Sequence, residues 1–463
     1  MGGGPAGLVS AMLLARDGHD VTLLERDEDP APERAGEAWN GWERGGVKQF
    51  HQAHYLVPRG REVLERELPD VFEALQAAGA VRFDSLSMMP PSITDRTPRP
   101  GDERFVTFTA RRPLLEHVLA RAAEREPRLD LRRGVSVAGL TTHTYDGTPH
   151  VGGVRTTDGE ELTADLVVDA MGRRSQLPKW FAQAGLPPVH EEAEDSGFIY
   201  YTRYFAGGDG GLPQLRTPLQ APLGTFTILT LPGDNGTWSV TFYVTTGDQP
   251  LKRLRHARCW SAVLAACPAH AHWLEGEPLT EVLAMSGIVD RYRRLATDGR
   301  PSVTGLALVG DASACTNPSQ GKGLTLGFMQ ASRLRDVVRA QLDDPRGLAE
   351  EWDRVTEAEL TPWYRETVAE DRARMHEMSA LRNGGTGAPP SPPGPVRALL
   401  TAMMHDGDLF RAFLTSRCCY APLSQVLARP EIGERAEKLA AEHQGAPPAF
   451  PGPTREELLE LVA

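Results

Sequence analysis

The sequence predicts an α/β protein of three layers, with an antiparallel β-sheet inserted into it and a helical extension at its C-terminal end. Three stretches lead there. A glycine turn opens a helix at the start, a second glycine-opened helix follows residue 320, and a block of alternating strands lies between them. The 463 residues exceed what one compact core usually carries, so two or three domains are expected.

The first stretch, MGGGPAG, sets Gly2, Gly4 and Gly7 in the G-x-G-x-x-G spacing of a dinucleotide-binding turn. Residues 6–18 follow as a helix with apolar residues on one face, closed by Gly18. Asp20–Glu25 (DVTLLE) then reads as a buried parallel strand. Glu25 ends that strand near the ~20-residue interval at which a carboxylate meets a ribose diol. A Rossmann-like β-α-β unit is therefore expected, short only of the strand that should precede Gly2. The stretch reads as starting late, with that strand upstream of Met1; a degenerate nucleotide turn is the alternative.

Residues 37–70 are rich in Trp, Gln and His and read as a ligand-lining loop that runs into an amphipathic helix. Gln49, His51 and His54 are candidates for the wall of a site there. The two histidines read equally well as satisfied polar side chains near a helix start. Residues 82–105 look irregular. Arg111–Glu126 predicts a helix with Pro113 in its first turn. Residues 131–140, 151–157 and 162–170 predict a strand meander ending in DLVVDAMG. Phe198–Phe205, Thr225–Leu231 and Trp238–Thr245 predict alternating strands, the last two joined by the turn PGDNG. Two long helices are expected around 257–284.

GLALVGDASACTNPSQGKGLTLGF, from Gly305 to Phe328, reads as a strand, a Gly-Asp pair, a proline turn and a glycine-opened helix. Beyond residue 346 the chain is mainly helical, interrupted by an exposed loop, NGGTGAPPSPPGP, at 383–395.

Composition narrows the function. A net charge of -12 opposes binding to nucleic acid. Five cysteines without ligand spacing argue against a disulfide framework or a metal site. No apolar run reaches the ~20 residues of a membrane helix, and no signal peptide opens the chain, so a cytoplasmic protein without an integral membrane segment is expected.

Three motifs share an order and spacing: GGGPAG with Glu25, DLVVDAMGRRS at 165–175, and LVGDASACTNPSQGKG at 308–323. Together they resemble FAD-dependent monooxygenases of the para-hydroxybenzoate hydroxylase class, which includes squalene and polyether epoxidases, over roughly residues 1–345. The resemblance implies an FAD-binding domain formed by residues 1–81, 105–185 and 290–345. It implies a substrate domain at 82–104 and 186–289, and leaves 346–463 as a helical region. It places FAD against Gly2, Gly4, Pro5, Ala6, Gly7, Glu25, Arg26, Arg112 and Val137 at one end. At the other it places Asp311, Pro318, Gly321, Lys322, Gly323 and Leu324. In that class reduced flavin and O2 form a C4a-hydroperoxide that passes one oxygen atom to a substrate, by hydroxylation or epoxidation. Tyr200, Tyr204, Phe226 and Phe242 would then line an apolar pocket for a hydrophobic small molecule of secondary metabolism.

One departure stands out. The second motif of the class usually ends in Ala-Asp-Gly, whereas this chain has Ala170-Met171-Gly172. NAD(P)H would supply electrons either directly or through a separate flavin reductase. A reductase of the geranylgeranyl reductase type and a non-catalytic flavin-fold protein are the alternative readings.

Overall fold

The computed structural model describes residues 1–208, 211–385, 394–443 and 451–463. The dinucleotide half has three layers. Its parallel sheet consists of two strand pairs. Val21–Glu25 runs alongside Leu129–Arg133, and Val167–Asp169 runs alongside Leu306–Leu308. Met1 and Gly2 lie between them. The Met1 nitrogen donates to the Val168 carbonyl (2.8 Å), the Ala170 amide to the Met1 carbonyl (2.9 Å), and the Gly2 amide to the Leu24 carbonyl (2.8 Å). These are ladder bonds to both sides, so two residues join the two pairs.

Helices Pro5–Arg16, Arg112–Ala123 and Gly323–Gln341 cover one face, where Leu8, Met12, Leu115, Leu119 and Phe328 are buried together. The antiparallel meander Val137–Tyr145, Thr148–Thr156 and Glu161–Thr163 covers the other, with helix Leu177–Gln183 beside it. Leu140, Val154, Trp180, Phe181 and Leu308 fill that layer.

The inserted sheet has the order Gln220–Leu223, Phe226–Pro232, Thr237–Thr245 and Phe198–Ala206. Tyr200 stands opposite Tyr243 and Tyr201 opposite Phe242. Period-two alternation gives the sheet two different faces. The back face carries Tyr201, Phe205, Phe226, Ile228, Val240 and Phe242. It packs on helix Ala257–Ala265 through Trp260, Val263 and Leu264, and on the final helix Arg455–Leu461 through Leu458. The front face carries Tyr200, Leu229 and Tyr243, set against Ile288 and Met378.

Two expectations are corrected here. Residues 257–284 form one helix, Ala257–Ala265, then a 3₁₀ turn at Ala271–Leu274 and two short strands, Glu277–Pro278 and Leu283–Met285. Pro268 and Pro278 cannot donate to a helix ladder, and a side chain at Gly276 would strike Trp238 at 2.3 Å. The irregular stretch at 82–105 begins in a strand, Val81–Asp84, that pairs antiparallel with Val106–Thr109.

The C-terminal region is spread over the molecule. Helix Pro345–Val355 seats Leu348 and Trp352 on the Gly323–Gln341 helix. Thr361–Arg382 crosses the front of the inserted sheet, where Met378 meets Phe198 and Tyr243. Gly394–Ala402, Gly407–Arg417 and Pro430–Glu442 form a small bundle around Leu399, Leu409 and Ala436. Met89 and Ile93 of the 82–104 segment pack against Phe410 and Leu414 of that bundle. Of the loop expected at 383–395, residues 386–393 lie outside the described residues. No helix among the described residues is long and apolar enough to cross a membrane.

The two faces of the inserted sheet predict opposite mutational costs. Phe242→Ala opens a cavity against Trp260 and is expected to cost about 3–5 kcal/mol. Tyr243→Phe loses the bond that Gln220 donates to its hydroxyl (2.7 Å) and is expected to cost ~1 kcal/mol. Urea unfolding followed by tryptophan fluorescence separates the two.

Candidate active site

A single cavity of about 1790 Å³ runs from the glycine turn, past the Gly323 helix, to the front of the inserted sheet. That exceeds the ~300–1,000 Å³ of ordinary ligand pockets and leaves room for a dinucleotide together with a second molecule. Gly2, Gly4, Pro5, Ala6, Glu25, Arg26 and Val137 line its near end, and Arg112, Asp311, Pro318, Gly321, Gly323 and Leu324 line the middle.

The glycines divide the work. Gly2 has φ +96°, and a side chain there would meet the Ala170 carbonyl at 2.5 Å. A side chain at Gly7 would sit 1.9 Å from the Gly2 carbonyl, so Gly7 lies against the turn and not in the cavity. A side chain at Gly4 meets nothing within 4 Å, which leaves open space for a phosphate close to backbone. Helix Pro5–Arg16 and helix Gly323–Gln341 both start without a side-chain cap. Their free N–H groups and positive dipole ends therefore suit anionic or carbonyl oxygen at two points of the same cavity.

A buried ionic network holds the near end, with Arg44 at its centre. The Arg44 guanidinium donates to Glu25 (3.0 Å), Asp27 (3.1 Å), Glu116 (3.2 Å) and the Gly3 carbonyl (3.2 Å). Burial alone would lower the Arg44 pKa; Glu116, Glu25 and Asp27 outweigh it and hold the pKa up. Glu25 also accepts from the Gly3 amide (2.7 Å) and the Asp27 amide (2.9 Å). Glu116 accepts a second guanidinium, that of Arg112, and Arg112 donates in turn to His54 Nε2 (3.1 Å). The Asp311 carboxyl is raised by burial, partly offset by Arg112, Arg173 and a bond from Cys315.

His54 Nδ1 faces the Gln52 carbonyl (3.1 Å). Burial, and then the Arg112 charge, push its pKa down to about 3, so it stays neutral and its Nε2 accepts from Arg112. His51 turns away from the cavity, with Nε2 on the Trp39 carbonyl (2.8 Å) and its ring against Trp39. Gln49 lines the cavity.

Other expected positions are placed differently. Lys322 is buried away from the cavity, with its ammonium 5.1 Å from the centre of the Trp363 ring. Tyr200 and its neighbour Tyr243 face the cavity. Tyr204 lies on the same face as Tyr200 but is covered by Trp39, whose ring centroid is 4.7 Å away. Phe226 and Phe242 belong to the back-face core. Adjacent residues of a strand point to opposite sides, so Phe242 and Tyr243 could never share one pocket.

Sequence reasoning missed Arg44, Gln52, Asn317 and Asp371, all of which line the cavity. An arginine set between Trp42 and two glycines was the available signal for Arg44. Asp169 does not replace the aspartate expected at Met171. It is buried, accepts from the Ser175 hydroxyl and from the Met171 amide (2.9 Å), and so braces the turn from behind, while Met171 faces the cavity.

An acid-ended dinucleotide turn and a second uncapped helix meet in one cavity, an arrangement that suits a dinucleotide cofactor of an oxidoreductase. Residues 106–347 match the FAD binding domain family and residues 1–64 the NAD(P)-binding Rossmann-like domain family. The chain belongs to the FAD binding domain family. It is 27% identical to Protein Rv3254 of Mycobacterium tuberculosis over 80% of this chain and 79% of that one. It is 26% identical to 6-methylpretetramide 4-monooxygenase of Streptomyces rimosus over 73% and 74%. The crystal structure of pqsL, a probable FAD-dependent monooxygenase from Pseudomonas aeruginosa, shares the fold at a TM-score of 0.59 and 17% identity, over 82% of this chain and 95% of that one. The protein is an FAD-dependent monooxygenase with NAD(P)H as reductant, and the reductase and non-catalytic alternatives are not favoured.

Gly4 and Gly7 predict separable effects. Gly4→Ala is expected to leave the apoprotein as stable as the parent and to weaken FAD binding about tenfold or more. Gly7→Ala is expected to destabilise the fold itself. Thermal unfolding of apoprotein beside FAD titration by flavin fluorescence checks both. Neutral His54 carries a second expectation. Its folded pKa lies below the unfolded value, so stability is lost as pH falls from about 6.5 towards about 3, and His54→Gln should flatten that loss in urea titrations.

Proposed function

We propose that the protein oxygenates a bulky, largely aromatic or apolar small molecule of secondary metabolism at the front of the inserted sheet. FAD would extend from Glu25, Arg26 and Val137 at its adenosine end to Pro318, Gly321, Gly323 and Leu324 at its ring. Once bound and reduced, FAD activates O2 and supplies one oxygen atom for hydroxylation or epoxidation. The continuity of the cavity from Glu25 to Tyr243 carries this reading, since cofactor and substrate then share one enclosure.

The side chains would do the remaining work. Glu25 would accept from the ribose hydroxyls, and the first turn of helix Pro5–Arg16 would hold the pyrophosphate. Asp311 would meet the ribityl chain, and the start of helix Gly323–Gln341 would favour negative charge on the ring carbonyl edge. Tyr200, Leu229, Tyr243, Met285 and Ile288 would exclude water from the substrate face, which protects the activated oxygen from wasteful release. The relative named 6-methylpretetramide 4-monooxygenase supports a small-molecule substrate of secondary metabolism. Arg173, Arg174 and Lys179 line the cavity and offer cations for the phosphates of NAD(P)H in place of the missing aspartate.

An absorbance spectrum of the purified protein, repeated with NADPH under argon, tests the reading. Near-ultraviolet and blue bands that bleach with NADPH, followed by uptake of one ¹⁸O atom into an aromatic product in air, are the expected result. Bleaching by dithionite alone would assign electron delivery to a separate reductase. A protein that stays colourless after FAD is added, or that oxidises NADPH without O2 and yields no oxygenated product, would overturn it.

A further inference from the structure

A second polar cluster lies inside the cavity, and the cofactor does not account for it. Asp371 comes from helix Thr361–Arg382, outside the matched family region, and its side chain is buried against the Pro318–Gln320 turn. Asp371 Oδ1 accepts from the Ser319 hydroxyl (2.9 Å). Asp371 Oδ2 and the amide nitrogen of Asn317 are both buried and close enough for Asn317 to lower the Asp371 pKa, yet no well-formed hydrogen bond joins them and neither has another partner among the described residues. Asn317 Oδ1 accepts from the Tyr200 hydroxyl (2.8 Å), and the Asn317 backbone amide donates to Asp290 (2.5 Å). Asp371, Asn317, Ser319 and Tyr200 all line the cavity, with Leu229, Tyr243, Met285 and Ile288 alongside.

Buried polar atoms are costly when unpaired, and here an acceptor and a donor lack a well-formed hydrogen bond together, beside the apolar side chains of Leu229, Met285 and Ile288. A substrate hydroxyl fits that pair. It donates to one and accepts from the other, while its ring lies on the apolar side chains. We propose that Asp371 is a catalytic base that binds a phenolic or enolic hydroxyl of the substrate and takes its proton, a role that rests on the monooxygenase reading above. The O–H bond of the substrate breaks, the proton moves to Asp371 Oδ2, and the electron pair stays on the substrate oxygen. Electron density rises at the ring carbons ortho and para to it, where the electrophilic oxygen atom supplied by the monooxygenase activity forms a C–O bond. The C–H bond at that carbon breaks as its hydrogen passes to the new oxygen, and the proton on Asp371 returns to the original one.

The surroundings suit a base of this kind. Burial raises the Asp371 carboxyl to about 7, Ser319 and Asn317 pull it down, and Asp290 and Glu370 push it up. Tyr200 and Tyr243 face it as neutral phenols, with their own ionisation raised by burial. Among the described residues no cation is paired with it, and the neighbouring Arg372 and Arg374 are bound to Glu194 and Glu377. A base with its pKa near the working pH combines availability with driving force.

The test uses FAD-loaded protein and two probes, 2-naphthol and 2-methoxynaphthalene, titrated between about pH 5 and about pH 8. The carboxylate accepts a hydroxyl proton only when ionised, so 2-naphthol should bind about tenfold tighter at the upper end, whereas 2-methoxynaphthalene should show no trend. Asp371→Asn should abolish the trend and keep its FAD, and Asp371→Glu should retain it with a shifted midpoint. Equal pH response of the two probes, or a trend that survives in Asp371→Asn, would overturn the proposal. Failure of the oxygenase reading registers separately, as absent flavin or absent O2 uptake.

Discussion

One buried guanidinium shapes the cofactor end of the molecule. Arg44 sits among three carboxylates and a backbone carbonyl that come from the glycine turn, the end of the second strand, the loop after it and the Arg112–Ala123 helix. Each acid buried alone would be strongly unfavourable, and removing one partner from such a group typically costs about 3–5 kcal/mol. The arrangement is therefore cooperative, and its geometry extends to chemistry. Glu116 ties Arg44 to Arg112, and Arg112 reaches past His54 towards Asp311. The two ends of the cavity, proposed to hold the adenosine and the ring of FAD, are thus joined by a chain of charges as well as by backbone.

The opposite wall is governed by a different constraint. The inserted sheet must bury its back face to exist, and it does so against Trp260 and the final helix. That leaves the front face free to be chosen for a ligand. The front is closed by helix Thr361–Arg382, with Arg374 donating to the carbonyls of Gly224 (2.9 Å) and Phe226 (2.8 Å). Those bonds cap the edge of the sheet and set the helix register, which in turn aims Asp371 at Ser319 rather than at solvent. Fold stability and the shape of the substrate face are settled by the same contacts.

Much of this was legible in the residues. The glycine turn, its helix and Glu25 follow from spacing, because only glycine tolerates the 2.5 Å and 1.9 Å approaches at Gly2 and Gly7. The strands around Phe198, Phe226 and Trp238 follow from alternation and the PGDNG turn. The face of each strand was not legible, since adjacent aromatics at 242 and 243 both read as apolar. Arg44 was hidden because its partners lie at 25, 27 and 116, contacts that no local pattern encodes. The break after residue 265 was missed because the apolar content of 257–284 outweighed Pro268, Gly276 and Pro278 in a reading by periodicity.

The position of Asp371 also bears on how such a site acquires its substrate. Every residue proposed to meet the cofactor lies before position 325, whereas helix Thr361–Arg382 and the bundle around Leu399 lie beyond the matched family region and still line the same cavity. The cofactor half needs fixed spacing, because backbone amides and a few charges must meet a ligand of constant shape. The far half needs only an apolar surface with one or two polar atoms in the right place. A helix laid across the front of the sheet can supply those atoms, and it can be altered without disturbing the Arg44 network or the glycine turn. Under the proposal for Asp371, discrimination among substrates of similar apolar bulk would fall to these polar atoms, because leaving Asp371 and Asn317 unsatisfied would cost more than a misplaced methyl group. The same oxygen-inserting core can serve a different ring system whenever that helix presents a different polar pair.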